Sequence, residues 1–228
     1  MSACGILVWT MISLVYVPFI AIFTLFLFAP STGSEGMKTS PTEKKAAVIQ
    51  NGSQNAESDY RAILSFIKNK YRQIKEEDAK NISKYLVEYG KKNQVDPKFA
   101  AAVIARESSF NKEAVSKTGA KGLGQIKDFN FDMLSIKDPF SIQENVSGLT
   151  QYLRTMLDKW QSQIDNGPQS VNHPVQPASQ LEKVRLSLAS YYKGFTAVNK
   201  DGGTFDEKTK GYVDDILVYY DEIMNQKL

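Results

Sequence analysis

The chain has 228 residues, a formal net charge of +3 and a single cysteine, Cys4. No internal disulfide can therefore form, and so small a charge excess does not indicate a nucleic-acid partner. The only histidine, His173, lies in a proline-rich stretch, which argues against both a metal site and a Ser-His-Asp triad. We accordingly expect no metal, no cofactor and no nucleic-acid partner.

The first predicted element is an apolar segment, residues 5–29, that contains no charged side chain. An apolar run of about 20 residues can cross a bilayer as a helix. A signal-peptide core is shorter, about 7–15 residues, and follows a basic start, which this run lacks. We therefore predict that residues 1–30 form a transmembrane anchor or signal-anchor, through which the protein contacts the membrane.

The remainder of the chain divides into a polar stretch and a helical domain. Residues 31–58 are rich in Ser, Thr, Gly, Asn and Lys, which is typical of a flexible linker. From residue 59 onwards, apolar side chains recur at helical spacing, and no alternation typical of a strand is convincing. The sequence therefore predicts a mainly α domain over residues 59–228.

The helices of this domain are predicted from apolar spacing and from capping residues. Asp96 is expected to cap a helix that has Pro97 in its first turn, and Gly90 to end the preceding helix as a C-cap. Residues 167–179 contain three prolines and are expected to form a surface loop or an insertion near a binding groove. The predicted helices cover residues 59–71, 82–89, 97–107, 141–164, 181–192 and 208–224.

The most informative motif is the run of residues 105–110, which places Glu107 at the end of an apolar helix. Burial and the negative end of the helix dipole both disfavour the charged carboxylate, so we expect a raised pKa. Such a glutamate can stay protonated near neutral pH and act as a general acid. The glycine-rich turn at residues 119–126 would let the backbone approach a bulky substrate. We therefore predict that Glu107 is the catalytic acid.

Five short motifs follow one another in a characteristic order along the chain. They are Glu107-Ser108, Gly122-Leu123-Gly124-Gln125, Asn145-Val146-Ser147-Gly148-Leu149, Ser190-Tyr191-Tyr192-Lys193-Gly194 and Thr209-Lys210-Gly211-Tyr212-Val213. As an ordered set they resemble the motifs of the soluble-type (SLT) lytic transglycosylases, which share the lysozyme-like fold. The resemblance covers residues 97 to about 223. It implies a mainly α, lysozyme-like (goose-type/SLT) single catalytic domain behind the N-terminal transmembrane helix.

The resemblance also implies a reaction and a substrate, the glycan strands of peptidoglycan. Cleavage of the MurNAc-GlcNAc β-1,4 bond would use one catalytic glutamate, with the N-acetyl group of the substrate supporting the anomeric carbon. Glu107 would first donate a proton to the leaving oxygen. It would then act as a base on the muramyl 6-hydroxyl and close a 1,6-anhydro ring without water.

Two polar side chains beside the predicted acid are expected to serve the substrate. Ser108 can hydrogen-bond to Glu107 and orient it, although a hydroxyl at a helix end can equally bond to its own helix. Gln125 can donate to and accept from an acetamido group, the alternative being an exposed turn residue. We predict both as substrate-binding residues.

Three tyrosines complete the predicted site. Tyr191 and Tyr192 offer ring faces and hydroxyls that suit sugar rings, and at least one of them is expected to pack in the core. The resemblance implies that Tyr212 reaches Glu107 across the groove, the alternative being a core tyrosine. Tyr192 stands where the family usually has Asn, which puts affinity or subsite preference in question.

Two further departures from the family pattern accompany Tyr192. Gly124 replaces the usual Met of the glycine turn, and Lys208 stands where the family often has Glu. Two other functions stay open, and the altered motif around Tyr192 makes the second of them plausible. A muramidase of goose-lysozyme type would use water, with Asp128, Asp132 or Asp138 supplying a base, and a non-catalytic wall-binding module would use none of them.

Two features of the sequence disagree about the side of the membrane on which the domain lies. Lys38, Lys44 and Lys45 follow the apolar segment, and the positive-inside rule would keep such a domain in the cytoplasm. Long domains translocate largely regardless of charge, and a wall-cleaving enzyme must face outward. We therefore expect a single-pass cell-membrane protein whose catalytic domain faces the periplasm or cell wall, an arrangement compatible with an envelope-spanning assembly.

Overall fold

The computed structural model describes residues 40–51, 55–165 and 179–226, which are mainly helical. Within these residues nine α-helices and one 3-10 turn, Asp128–Asn130, are formed. The helices are α1 (Pro41–Asn51), α2 (Ala56–Lys70), α3 (Glu76–Lys92), α4 (Pro97–Ser108), α5 (Phe131–Leu134), α6 (Ile142–Asp165), α7 (Gln180–Lys193), α8 (Phe195–Lys200) and α9 (Glu207–Met224). The prediction of a mainly α domain is confirmed.

Helix α4 forms the centre of the core. Residues 97–105 are all buried, and a helix that is apolar on every side is expected to lie inside a domain. Its neighbours are α2, α3, α6 and α9. Asp96 caps α4 as predicted, because its carboxylate accepts a hydrogen bond from the Lys98 backbone N–H at 2.7 Å, and Pro97 occupies the first turn.

A buried ionic network holds the N-terminal end of α4. The Lys98 ammonium pairs with the carboxylate of Asp59 on α2 and lies 3.7 Å from that of Asp96. Tyr220 on α9 donates its hydroxyl to Asp96 Oδ2 at 2.9 Å, and its ring meets Phe99 edge-on at 6.0 Å. These contacts fix α2 and α9 against the start of α4.

Helices α6, α7 and α8 meet around Trp160, which is fully buried. Its indole N–H donates to Ser190 Oγ at 3.0 Å, and its ring lies 5.0 Å from that of Phe195. The predicted helices over residues 141–164, 181–192 and 208–224 correspond to α6, α7 and α9. The short helix α8 was not predicted.

Helix α1 corrects the prediction of a flexible linker. Ala46 and Ile49 of this helix are fully buried in the core, and the Ile49 carbonyl accepts a hydrogen bond from the Asp96 N–H at 3.1 Å. Lys45 pairs with Asp221 on α9. The linker prediction is wrong for residues 41–51, because a few apolar side chains among polar ones are buried by distant helices.

The predicted C-cap at Gly90 is also wrong. Helix α3 continues to Lys92 and is followed by Asn93 as its C-cap. A Cβ at Gly90 would lie 2.8 Å from the Val95 carbonyl oxygen and 3.3 Å from Pro97. Glycine is therefore required here for close approach of the chain that leads into α4.

Several predictions concern residues outside the described part of the chain. They include the apolar segment, residues 5–29, and nearly all of the predicted loop, residues 167–179. Within the described residues, none of the helices combines the length and apolar character that a bilayer crossing requires. The transmembrane anchor stays a prediction.

Candidate active site

Glu107 lies in the last turn of α4, and the chain immediately after it reverses direction. Ser109 and Phe110 both adopt left-handed backbone conformations, with φ of 51° and 61°. Phe110 is buried against the rings of Phe66 and Tyr71, at 6.2 and 5.0 Å. This aromatic contact stabilises an uncommon backbone geometry and so fixes where α4 ends.

The Glu107 carboxyl group is half-buried and has one close donor. Tyr212 on α9 donates its hydroxyl to Glu107 Oε1 at 2.6 Å. Arg106 does not pair with it, since its Nε donates to Asp215 Oδ2 at 3.0 Å. Burial raises the pKa of Glu107 to about 7, because the Tyr212 hydrogen bond and the Arg106 charge only partly offset the loss of hydration. The carboxyl group can therefore carry a proton near neutral pH, as predicted.

The glycine turn after α4 is fastened to α6 by Asn145, whose side chain is buried. Asn145 Oδ1 accepts from the Gly124 N–H at 2.8 Å, and its Nδ2 donates to the carbonyls of Lys121 and Pro139 at 3.2 and 2.8 Å. Gly122 has a φ of +74°, and a Cβ there would lie 2.2 Å from both Asn145 Nδ2 and the Pro139 carbonyl oxygen. The turn therefore tolerates only glycine at this position.

Gln125 closes the turn with a left-handed backbone, φ 50°. Its side-chain Nε2 donates to the carbonyl oxygens of Gly122 and Ala114, at 2.9 and 3.1 Å. The amide nitrogen thus stabilises the turn that carries it. Gln125 also lines the cavity in front of Glu107.

That cavity has a volume of about 430 Å³ and contains four of the predicted site residues, Glu107, Gln125, Tyr191 and Tyr192. Tyr212 joins them through its hydrogen bond to Glu107. The rest of the lining is contributed by Ser116, Thr118, Ala120, Ile126, Lys127, Phe129, Asn130, Tyr152, Lys193 and Gly194. A space of this size, with a few polar groups among aromatic rings, is typical of a ligand site.

Among the predicted site residues, Ser108 neither lines the cavity nor bonds to Glu107. Its Oγ donates to the Ile104 carbonyl of its own helix at 3.3 Å. The predicted hydrogen bond from Ser108 to Glu107 is therefore replaced by the other interaction that the sequence left open, a hydroxyl bonding back along α4.

The two adjacent tyrosines of α7 make different contacts. Tyr191 donates its hydroxyl to the Gly124 carbonyl at 2.6 Å, and its ring lies 5.1 Å from that of Tyr152, so it supports the glycine turn. Tyr192 is 39% exposed and stacks on Tyr212, with ring centroids 4.6 Å apart and an interplanar angle of 22°. Tyr192 therefore packs against the tyrosine that donates a hydrogen bond to Glu107.

Phe129 was missed by the sequence reasoning, although it lines the cavity and is 79% exposed. It lies in the 3-10 turn, Asp128–Asn130, where helical spacing gives no signal. An exposed phenylalanine between polar residues resembles any loop residue in the sequence. Its position at the cavity became visible only in the fold.

The alternative carboxylates, Asp128, Asp132 and Asp138, do not line the cavity. Asp128 instead pairs with Lys121 Nζ at 2.9 Å, and Asp138 accepts from the Phe140 N–H at 2.9 Å. Among the residues that form the cavity wall, Glu107 is the one carboxyl group. Over the described ranges, no cluster of three or more His, Cys, Asp or Glu side chains is arranged to hold a metal ion.

Comparison with known families identifies the domain. The family described as Transglycosylase SLT domain matches residues 84–213, which is more than half of the chain. The protein belongs to this family, and the resemblance that the sequence motifs suggested is confirmed. The matched region contains Glu107, Gln125, Tyr191, Tyr192 and Tyr212.

A solved structure also matches the chain. The 70 kDa soluble lytic transglycosylase of Escherichia coli is 18% identical, with a TM-score of 0.46. The match covers 83% of this chain and 32% of that protein. This chain thus corresponds to about a third of the length of that protein.

Proposed function

We propose that this protein is a lytic transglycosylase that cleaves the MurNAc-GlcNAc β-1,4 bond of peptidoglycan and forms 1,6-anhydro-MurNAc. The observation that supports the proposal is Glu107 itself. It is a carboxyl group with a pKa of about 7, set at the wall of a cavity large enough for sugar rings. Family membership supports the same activity.

In the proposed mechanism, Glu107 acts first as an acid and then as a base. The protonated carboxyl group donates to the glycosidic oxygen as the bond to the anomeric carbon breaks. The carboxylate that results then accepts the proton of the muramyl 6-hydroxyl as that oxygen attacks the anomeric carbon. Glu107 is therefore protonated again at the end of the reaction. Acid–base catalysis by a positioned group contributes about 10²–10⁴-fold to the rate.

Tyr212 has a defined part in this cycle. Its hydroxyl is 2.6 Å from Glu107 Oε1 and stabilises the carboxylate that forms after the first proton transfer. The substrate's own N-acetyl group would support the positive anomeric carbon, because the cavity wall offers no second carboxylate. This argues for a one-carboxylate mechanism over a muramidase with a separate base.

Analysis of products tests the function directly. Purified peptidoglycan is digested with the protein, and the fragments are examined by mass spectrometry. Anhydro ends are expected; reducing ends would indicate a muramidase, and intact glycan would indicate a non-catalytic wall-binding module. Glu107→Gln should lower turnover by at least about 10²-fold. Glu113→Gln is the matched control, since this glutamate is exposed and outside the cavity.

We further propose that residues 1–30 anchor the protein in the cell membrane, with the catalytic domain facing the periplasm or cell wall. The uncharged run of residues 5–29 supports the anchor, and the wall substrate supports the orientation. The protein is expected to stay in the membrane fraction after carbonate washing. Release by washing, or a C-terminal domain protected on the cytoplasmic side in a protease-accessibility assay, would contradict the arrangement.

A further inference from the structure

A second cavity, also of about 430 Å³, lies between α1, the segment that joins α3 to α4, α6 and α7, and it shares no lining residue with the Glu107 cavity. The two cavities lie on different faces of α6. Tyr152 lines the first and Arg154 the second, and residues two positions apart point about 200° apart around a helix. The second cavity is lined by Ala47, Gln50, Gln94, Arg154, Asp158, Gln161, Gln180 and Lys183.

Lys183 is the unusual member of this set, because it is only 3% exposed. Its ammonium donates to an amide oxygen, Gln161 Oε1, at 2.6 Å, and it forms no ion pair with any carboxylate of the described residues. An ammonium carries three donors and is costly to bury without a negative partner. Burial and the nearby Arg154 charge lower the pKa of Lys183, and the charges of Asp158 and Asp165 only partly offset this effect.

Arg154 presents a second cation to the same cavity. Its Nη1 donates to the backbone carbonyls of Gln50 and Gln94, at 2.8 and 3.2 Å, and its Nη2 lies 2.7 Å from Asp158 Oδ1. These contacts hold the guanidinium in place. A guanidinium held in this way at the cavity wall presents a fixed positive charge to an anion there.

The charges and amides of the wall indicate the class of ligand. Among the lining side chains, two cations outnumber the single carboxylate of Asp158, so the wall favours an anionic ligand. Three glutamines besides Gln161 also line the cavity, Gln50, Gln94 and Gln180, and a primary amide can pair with a peptide group as both donor and acceptor.

We propose that this cavity binds a peptide carboxylate, with the anion between Lys183 and Arg154 and the peptide groups against the glutamine side chains. The site is separate from the catalytic cavity, and it stands whether or not the protein cleaves glycans. Its ligand would give the buried Lys183 ammonium the direct ion-pair partner that it lacks within the described residues.

Calorimetric titration of the full chain with two small peptides tests the proposal. One probe is an acetylated alanine dipeptide with a free C-terminal carboxylate, and the other is its C-terminal amide. We expect saturable 1:1 binding of the acid and binding of the amide that is weaker by about tenfold or more, as for a charge-assisted hydrogen bond. Equal affinities, or no saturable binding of the acid, would overturn the proposal.

Two lysine variants localise the binding. Lys183→Met should weaken binding of the acid by about tenfold or more, whereas Lys159→Met, which removes an exposed charge from α6 outside this cavity, should leave it unchanged. Circular dichroism confirms that each variant is folded, and Lys183→Gln repeats the test if Lys183→Met is not. Unchanged affinity in a folded Lys183 variant, or stronger competition by inorganic phosphate than by acetate, would contradict a carboxylate site.

Discussion

The two ends of α4 each place a carboxyl group against a tyrosine hydroxyl of α9, yet their surroundings differ. At the N-terminal end Asp96 accepts from Tyr220 at 2.9 Å, and at the C-terminal end Glu107 accepts from Tyr212 at 2.6 Å. Lys98 is buried beside Asp96, whereas no lysine or arginine pairs with Glu107 among the described residues. The same tyrosine contact therefore occurs with and without a cation paired to the carboxyl group.

The difference shows what separates a structural carboxyl group from a reactive one. Burial raises the pKa of both groups, but the Lys98 charge opposes the rise at Asp96. Arg106 is next to Glu107 in sequence but bonds to Asp215, and its charge lowers the Glu107 pKa less than the Tyr212 hydrogen bond does. Glu107 also borders a cavity, and Asp96 is fully buried. Access to a substrate and the lack of a paired cation together suit Glu107 to proton transfer.

The largest effect is expected from breaking the ionic network. Lys98→Met would leave Asp59 and Asp96 buried without their cation, and removal of one partner from a buried pair costs about 3–5 kcal/mol. Chemical denaturation measures the free energy of unfolding. Lys112→Met is the matched control: Lys112 pairs with Asp78 at 2.9 Å in a more exposed setting, where a loss of at most about 1 kcal/mol is expected. Similar losses in both variants would contradict the comparison.

The second prediction is that Glu107→Gln stabilises the folded protein at high pH, whereas Lys98→Met destabilises it. The folded pKa of about 7 exceeds the ordinary value of 4.5, so the folded protein keeps a proton that the unfolded chain releases between these pH values. Wild-type stability from this group is full below about pH 4.5 and is lost as the pH rises through 7. The amide stays neutral at every pH.

Glu107→Gln should therefore equal wild type in stability at pH 4 and exceed it by about 1–3 kcal/mol at pH 8. Thermal or chemical unfolding at the two pH values provides the measurement. Glu113→Gln, which removes an exposed carboxyl group, is the matched control. A destabilised Glu107→Gln variant at pH 8 would mean that the carboxylate is well stabilised in the fold.

The third prediction compares the two tyrosines. The Tyr212 hydrogen bond lowers the Glu107 pKa, so Tyr212→Phe should raise it and shift the high-pH limb of kcat/KM to higher pH. Tyr220→Phe should leave that limb in place and cost about 1–2 kcal/mol of stability, since buried Asp96 loses a donor. A pH–rate profile together with denaturation of both variants separates the roles. A shifted limb in Tyr220→Phe would show that the two ends are coupled.

The smallest effect is expected from Tyr192→Asn. Tyr192 is partly exposed and stacks on Tyr212, and such stacking contributes about 0.5–1.5 kcal/mol. The substitution should therefore lower the melting temperature only slightly, while it changes KM or product length. A large fall in melting temperature with unchanged kinetics per folded molecule would assign Tyr192 to packing alone.

Local patterns predicted most of the helices and the position of Glu107, because apolar spacing and the Asp96 cap act within a few residues. The contact between Tyr212 and Glu107 joins residues 105 positions apart, and only the resemblance to a family suggested it. Helix α1 was missed because its sequence is rich in polar residues. Its few apolar side chains are buried by helices that are distant in the sequence, and local composition does not show such contacts. The sequence could not predict which acceptor Ser108 uses, because both Glu107 and a backbone carbonyl of its own helix were within reach.

The position of Trp160 makes its fluorescence a useful probe of this protein. The sequence contains two tryptophans, Trp9 and Trp160, so a Trp9→Phe variant carries a single indole fluorophore. Trp160 donates to Ser190, the residue before Tyr191, and lies 5.0 Å from Phe195, the residue after Gly194. Tyr191 and Gly194 both line the Glu107 cavity. The emission spectrum of Trp160 is therefore expected to report on the junction of α6, α7 and α8 and to respond when a ligand occupies that cavity.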